Sequence, residues 1–453
     1  MFTNRFISLC MLSCTILLSS VCQAESSHKD CCNLKETDDP AFSCCKLGFE
    51  ITDALERDAD AVFPNMKDNA SRVFISYAKV PANLFPADIE AELFANNNGT
   101  LTSLNTVLYD ASFPAEGLAV AAPSFNNLFL LDSDNATSIR LRKYDSDLNF
   151  TGQQVIFNDY ADDASLEAAI SADGKFLAVT YLVSLAPPVT LIRVIDTQTL
   201  QTVDTTTVPG LTNGPRWFTL KDKHKCQLYF SLATVDFDVG FATLHVFKFK
   251  KGEIISVDTA PLPSFANIPA ITSGCCGEVL IATGGRQAFD SLDAPSVFPE
   301  DLVAARQTFI PGDTANLRLY SFSCKKLNLI YSETLPAEAT RGITFHPNNK
   351  CLLVSQTPPG VAGVTGAVAS FRCVQICKDK CAKTKRADAS ISSSASTIVF
   401  PTFNVFNPFN FSEKGEWFIT GGASNTGVCE TNPGFRNINL YRVNKIDAPC
   451  KDH

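Results

Sequence analysis

Charge is scarce in this 453-residue chain: Asp, Glu, Lys and Arg together make up 19% of it, and the net charge is −9. No sustained basic stripe runs through it, which argues against nucleic acid as a partner. The short basic stretches Lys221–Lys225, Lys248–Lys251 and Lys378–Arg386 fall where turns are expected and read as solvated. Histidine is thinner still. His28, His224, His245, His346 and His453 are dispersed, so neither a histidine metal cluster nor a Ser/His/Asp triad is indicated. There is no G-x-S-x-G elbow and no phosphate loop. Asp145-Ser-Asp147-Leu-Asn149 mimics the start of a calcium loop, but Phe150 stands where a glycine is wanted and a hairpin turn explains it better. No cofactor and no metal site is indicated. Past the first two dozen residues, no apolar run approaches the ~18 residues of a membrane helix, so no transmembrane segment is expected.

What is present begins with an export signal. Residues 1–24 carry one charge (Arg5), an apolar core from Phe6 to Leu18, and Cys22 and Ala24 at the −3 and −1 positions of a cut before Glu25. A lipid anchor on Cys22 is the alternative. Export sets the reading of the 17 cysteines, because thiols pair outside the cytoplasm. Cys10, Cys14 and Cys22 leave with the signal, and the even remainder is expected to form several disulfides. A zinc site at Cys31-Cys32 and Cys44-Cys45 is the lesser alternative, since no CxxC spacing is present.

The best-patterned stretch, Leu166–Val208, holds four short apolar runs separated by turn signals at Asp173-Gly174, Pro187-Pro188 and Thr197–Thr199. It reads as a four-stranded antiparallel meander. Its second run is apolar on both alternating faces, so the sheet needs cover on both sides. Seven candidate copies of its first hairpin recur, at 60–78, 117–133, 168–181, 217–232, 269–285, 341–356 and 408–422, about 50 residues apart and wider around the last two. Third strands follow at Ile139–Tyr144, Thr190–Asp196, Leu244–Phe249, Leu317–Phe322, Ala367–Phe371 and Ile438–Val443. Fourth strands follow at Phe150–Phe157, Leu200–Val208, Glu253–Thr259 and Leu327–Leu335. The pattern predicts an all-β chain: a seven-bladed β-propeller of four-stranded antiparallel blades over 59–453, preceded by a Cys-rich segment at 25–58 and the cleaved signal peptide. Six blades remain if the weak first copy is an extension. The last copy lacks a fourth strand, and Leu47–Thr52 is expected to supply it.

The cysteines mark one face of such a ring. Cys226, Cys275, Cys276 and Cys351 sit in first-to-second turns, and Cys324 and Cys373 end third strands. Cys351 with Cys373 and Cys276 with Cys324 are then cross-strand pairs within reach of a disulfide. Cys226 and Cys275 share that face in adjacent blades. Cys429 and Cys450 flank a strand too long for them to meet each other. The opposite face carries the longest insertion, Arg286–Asn316, and the acidic loop of Asp159, Asp162 and Asp163.

Gly214-Pro215-Arg216-Trp217 and Thr340-Arg341-Gly342-Ile343-Thr344-Phe345-His346-Pro347 resemble the blade openings of the seven-bladed lactonase family, which includes 6-phosphogluconolactonases. ISADGKFLAVTY and VIDTQTLQTV are similar to YVTN-type propeller repeats. The resemblance implies a propeller and, at the position after the arginine, a histidine implicated in catalysis. Trp217 and Gly342 occupy that position here, so the catalytic motif is not kept and no catalytic residue is assigned. Arg216, Trp217, Arg341 and Arg286 are the ligand-binding candidates. The expectation is a secreted, disulfide-stabilised binding or interaction module whose partner is an unidentified protein or small ligand on the loop-rich face. The alternative is a lactonase-like hydrolase with its site at the central channel.

Overall fold

The computed structural model describes residues 46–446 apart from connecting stretches, the longest of which are 287–314, 376–389 and 424–434. All regular structure among the described residues is β-strand. The first strand, β1 (Lys46–Asp58), is held for the last sheet, and the chain then folds into consecutive antiparallel meanders. The first comprises β2 (Ala61–Met66), β3 (Arg72–Ala78), β4 (Ile89–Asn97) and β5 (Thr100–Leu108). The second comprises β6 (Ala115–Ala121), β7 (Leu128–Ser133), β8 (Ile139–Tyr144) and β9 (Phe150–Phe157). The third is β10 (Asp162–Ile170), β11 (Phe176–Leu185), β12 (Pro188–Asp196) and β13 (Thr202–Pro209). In the fourth, β14 (Leu211–Thr212) and β15 (Arg216–Asp222) both pair with β16 (Lys225–Asp236), followed by β17 (Phe241–Lys250) and β18 (Glu253–Leu262). In the fifth, β19 (Phe265–Ala266) and β20 (Ala270–Ser273) both pair with β21 (Val279–Arg286), followed by β22 (Ala315–Ser323) and β23 (Lys326–Leu335). The sixth is β24 (Ala339–Phe345), β25 (Cys351–Thr357), β26 (Val368–Gln375) and β27 (Ser390–Val399). The last has β28 (Phe409–Phe411), β29 (Trp417–Ala423) and β30 (Phe435–Ile446), with β1 antiparallel to β30 as its fourth strand.

The innermost strands touch in order: β2 with β6, β6 with β10, β10 with β15, β15 with β20, β20 with β24, β24 with β28, and β28 back to β2. Sheets packed face to face around such a circuit make a β-propeller. The first five sheets and the last bury apolar side chains on both faces, which is why their second and third strands carry little alternation; β7 and β8 are buried at every position. The core is accordingly a series of inter-sheet clusters. One joins Phe129, Leu131 and Leu141 to Val179, Tyr181 and Ile195. Another joins Phe218 and Tyr229 to Ile281 and Phe322. A third, Val73, Ile75, Tyr77 and Phe94 with Ile419, Ile438 and Leu440, seals the last sheet against the first.

The closing strand is longer than Leu47–Thr52, and its second half does the joining. Arg57 reaches Glu92 of β4, with Nε to Oε2 at 3.1 Å and Nη2 to Oε2 at 3.0 Å, while the Tyr77 hydroxyl donates to the same carboxylate at 3.0 Å. Asp53 accepts the Leu101 N–H at 2.6 Å. That last bond recurs between outer strands. Asp204 accepts the Ile254 N–H and Asp258 the Leu327 N–H, each at 2.7 Å. In all three sheets the acid follows a bulged residue, Thr52, Val203 or Val257, which the register skips. The bulge turns the next side chain toward the neighbouring sheet. Close approach to the bulge also fixes a glycine: a Cβ on Gly99, already at φ 106°, would sit 3.0 Å from Thr52.

The sequence-derived disulfides fare unevenly. Cys351 and Cys373 are directly opposed in the β25–β26 register. Cys324 carries a free, exposed thiol in the β22–β23 turn, so the bond expected between Cys276 and Cys324 is not formed in this structure, where that tight turn holds Cys324 at φ 50°. Cys276, Cys275, Cys429, Cys450 and the N-terminal cysteines lie outside the described residues, and no disulfide is present among the described ones.

Phe49 anchors β1 by packing on Phe418 at 5.4 Å, Tyr441 at 6.3 Å and Phe411 at 6.5 Å between ring centroids. Because the ring is half-buried, Phe49→Ala is expected to cost about 2 kcal/mol, roughly half the loss of a fully buried ring. Ile51→Ala on the same strand, where the side chain is 47% exposed, should stay within about 0.5 kcal/mol. Chemical denaturation midpoints of the two variants check this.

Candidate functional site

The four arginine and tryptophan candidates do not form one constellation. Arg216 opens β15 and Arg341 lies in β24, innermost strands of sheets separated by the β20 sheet. Arg286 ends β21, a second strand, opposite Phe265 and Ala315. The Arg286–Asn316 insertion lies outside the described residues up to Ala315. Arg216 is only half-buried, yet lost hydration lowers its pKa, opposed by the charge of Glu167 on β10. Trp217 alternates to the opposite face of the strand. Its indole N–H donates to the Ala169 carbonyl at 2.9 Å, and its ring packs on Phe230 at 5.0 Å and Phe249 at 5.9 Å. Trp217 therefore ties β15 to β10 rather than facing a ligand.

The remaining sequence candidates resolve simply. Asp145 caps its own hairpin by accepting the N–H groups of Asp147 and Asn149, each at 2.9 Å, so the segment is a turn. Asp159 accepts from the Tyr181 hydroxyl at 2.8 Å and from Arg193 at 2.5 Å. His346 is buried against Phe411 and meets the Gly415 carbonyl at 3.2 Å; a Cβ on Gly415 would fall 2.2 Å from the imidazole. His245 bonds Thr234 at 2.9 Å, and burial lowers its pKa to about 4, so it is neutral. Among the described residues no group of His, Cys, Asp and Glu is placed to hold a metal.

The concentration of charge that sequence reading missed lies between the first and second sheets. Strand β8 reads IRLRKY: Ile139 and Leu141 join the core toward β11, and alternation sends Arg140 and Arg142 to the other face. Asp132 is register partner to Arg140 and takes its Nε at 3.1 Å and its Nη2 as well. Arg140 Nη1 reaches Asp110 at 2.6 Å. Arg142 Nη2 reaches both oxygens of Glu90, at 2.6 and 2.7 Å, and Asp132 at 2.9 Å. The side chains of Glu90 and Asp132 are fully buried. Glu90 arrives there by a bulge, because the register of β4 on β5 skips it between Ile89 and Ala91. Glu90 thus joins Ala91 and Leu93 on the face toward β8, while Glu92 faces Arg57.

Two guanidiniums meet three carboxylates here, so full ionisation would bury one negative charge in excess. The proton goes to the least hydrated acid. Burial raises the Glu90 pKa to about 7 against the pull of Arg142, whereas the hydrogen bond from Arg140 lowers the half-exposed Asp110 to about 2. The short Arg142–Glu90 contacts and the raised pKa pull in opposite senses; the charge count favours the raised value. Above the network, a shallow, open depression between β5 and the β8–β9 hairpin is lined by Asp110, Arg140 and Arg142.

No protein-family model and no curated sequence relative matches the chain. Among solved structures it is similar to the Dos1 propeller, at 10% identity and a TM-score of 0.46, over 87% of this chain and 95% of that one.

The Glu90 proton sets a pH dependence. Its folded pKa, about 7, lies above the 4.5 of an unperturbed glutamate, so the folded state binds the proton more tightly. The group's contribution is fully present below about pH 4.5 and is lost as pH rises through about 7. Relative to Glu90→Gln, the wild-type protein should lose a few kcal/mol of unfolding free energy across that window and change little above it. Denaturant melts from pH 4.5 to 8 measure the difference. Arg142→Ala, which strands the buried Glu90 carboxylate while Asp132 keeps Arg140, is expected to cost about 3–5 kcal/mol at pH 8.

Proposed function

We propose that this chain is an exported, seven-bladed β-propeller that serves as a binding and interaction module. The continuous circuit of innermost strands from β2 to β28 and back supports the blade count, since each of its seven contacts joins successive sheets. Export is supported by the amino-terminal pattern of one arginine, an apolar core, and small residues before Glu25. A disulfide between Cys351 and Cys373 fits the same compartment and the direct opposition of those residues across β25 and β26.

The observation that carries the choice between module and enzyme is the role of Trp217. The resembled lactonases carry a histidine there; here the position holds an indole whose N–H donates to the Ala169 carbonyl and whose ring is packed on two phenylalanines. That position supplies adhesion between sheets and no proton transfer. Arg216 carries a positive charge that Glu167 of β10 balances in part. A guanidinium so placed attracts an anionic or carbonyl group but does not activate water.

The purified protein is therefore expected to show no turnover on a panel of aliphatic and sugar lactones. Turnover abolished by combining Arg216→Ala with Arg341→Ala would establish the hydrolase instead. Peptide mapping without reductant should recover Cys351 joined to Cys373; Cys351 recovered with any other cysteine would overturn that pairing.

A further inference from the structure

The closing strand β1 is tied down at one end more firmly than at the other. Its bonds to the first sheet, Asp53 with Leu101 and Arg57 with Glu92, lie in its second half, and the chain passes from Asp58 into β2 at Ala61. The opposite end is the bare start of the ladder, Lys46↔Ile446. Glu50 and Ile51 near it are exposed. A terminal strand opens from its free end, because few contacts have to break there. The sequence places cysteine at that end. Cys44 and Cys45 immediately precede Lys46, and Cys450 follows Ile446 by four residues, all three lying just outside the described residues.

The antiparallel register brings the two chain ends together. The chain enters β1 and leaves β30 at the same end of the sheet, where paired Cα atoms stand about 5 Å apart. Four residues of chain reach at most about 14 Å, so Cys450 can approach Cys44 or Cys45 within the ~7 Å that a disulfide allows. The cysteines whose place the strands fix do not compete. Cys351 opposes Cys373, Cys226 and Cys324 belong to the fourth and fifth sheets, and Cys429 precedes Phe435 at the far end of β30. Among the rest, loop entropy favours the pair joined by the shortest connection through the folded ladder. We propose that Cys450 forms a disulfide with one of the vicinal pair Cys44 and Cys45, a covalent latch that holds the free end of β1 on β30 in the oxidised protein and releases it on reduction. The inference takes its oxidising compartment from the proposed export. The two thiols give up two protons and two electrons to a disulfide donor such as glutathione disulfide, which leaves as two thiols.

The mature chain, refolded in a glutathione redox buffer so that the bond is tested apart from export, would be cleaved with trypsin without reductant. Glu36–Lys46 should be recovered joined to Ile446–Lys451. In the intact protein the amides of Leu47–Ile51 should exchange hydrogen roughly tenfold faster or more in Cys450→Ser, and in the reduced wild-type protein, than in the oxidised wild type. Cys450 left as a thiol, or recovered with Cys31, Cys32, Cys377 or Cys381, would overturn the pairing. Exchange that is the same in all three samples would overturn the latch. Secretion of a reporter fused to residues 1–24 is scored separately, so a failure of export and a failure of the bond are distinct results.

Discussion

A ring of sheets depends on its seam. Every other sheet in this chain is completed by strands consecutive in sequence, but the last would end at β30 with an open edge and an exposed apolar face. An unpaired edge of that kind templates aggregation, and a ring missing one strand loses packing on two sheets at once. Strand β1 resolves both. Its hydrogen bonds run the length of β30 from Lys46↔Ile446 to Asp58↔Phe435, and Arg57 then crosses to Glu92 in the first sheet. The seam therefore joins residues about 390 positions apart, and nothing in the circuit is complete until both ends of the chain have been made. Long-range closure of this kind carries a large loop entropy, which the inter-sheet cluster around Val73, Phe94, Ile438 and Leu440 has to offset.

The strands that were legible are those whose apolar residues serve the core directly. Ile139–Tyr144 and Phe150–Phe157 were readable to the residue, because a run such as LFLLDS before IRLRKY has few alternatives to a doubly covered sheet. Strands β4, β5 and β27 were not. IEAELFANN carries two glutamates that end up buried, TLTSLNTVL is the polar outer edge of its sheet, and SISSSASTIV is a serine tract that composition assigns to a loop. The inter-sheet acids Asp53, Asp204 and Asp258 were missed for a different reason. What makes them act alike is the bulge before each one, and a bulge leaves no compositional mark.

The same blindness hid the charged network. Strict alternation would put Glu90 and Glu92 on one face, where two carboxylates would repel; the skipped residue at Glu90 sends them to opposite faces and to different arginines. Their partners, Arg142 and Arg57, stand 52 and 35 residues away in sequence, in sheets on either side of the first. Of the candidates drawn from the lactonase resemblance, Arg216 and Trp217 were correctly placed at a blade opening. Their side chains take opposite faces of β15, as strand alternation requires once its register is known, and Trp217 goes into the packing.

Charge at these two junctions and aromatic rings at others answer one problem in different ways. Sheets of similar length with apolar faces could stack in more than one order or register, and hydrophobic burial alone distinguishes such arrangements weakly. Where β11 meets β17, Phe176 and Phe249 interlock at 4.8 Å, and where β16 meets β22, Tyr229 packs edge-on to Phe322. The first sheet instead carries an acid on each face, and each acid requires an arginine from one particular neighbour. A buried ion pair contributes little net stability, but its loss is expensive, so it penalises every arrangement except the one that satisfies it. Placing such pairs on both sides of the first sheet fixes the register at the seam, where the chain has no connecting turn to do so. The second of these junctions goes further than closure needs. It holds a third carboxylate, Asp110, on Arg140 Nη1, and leaves the buried Arg142 Nε without an acceptor in the protein.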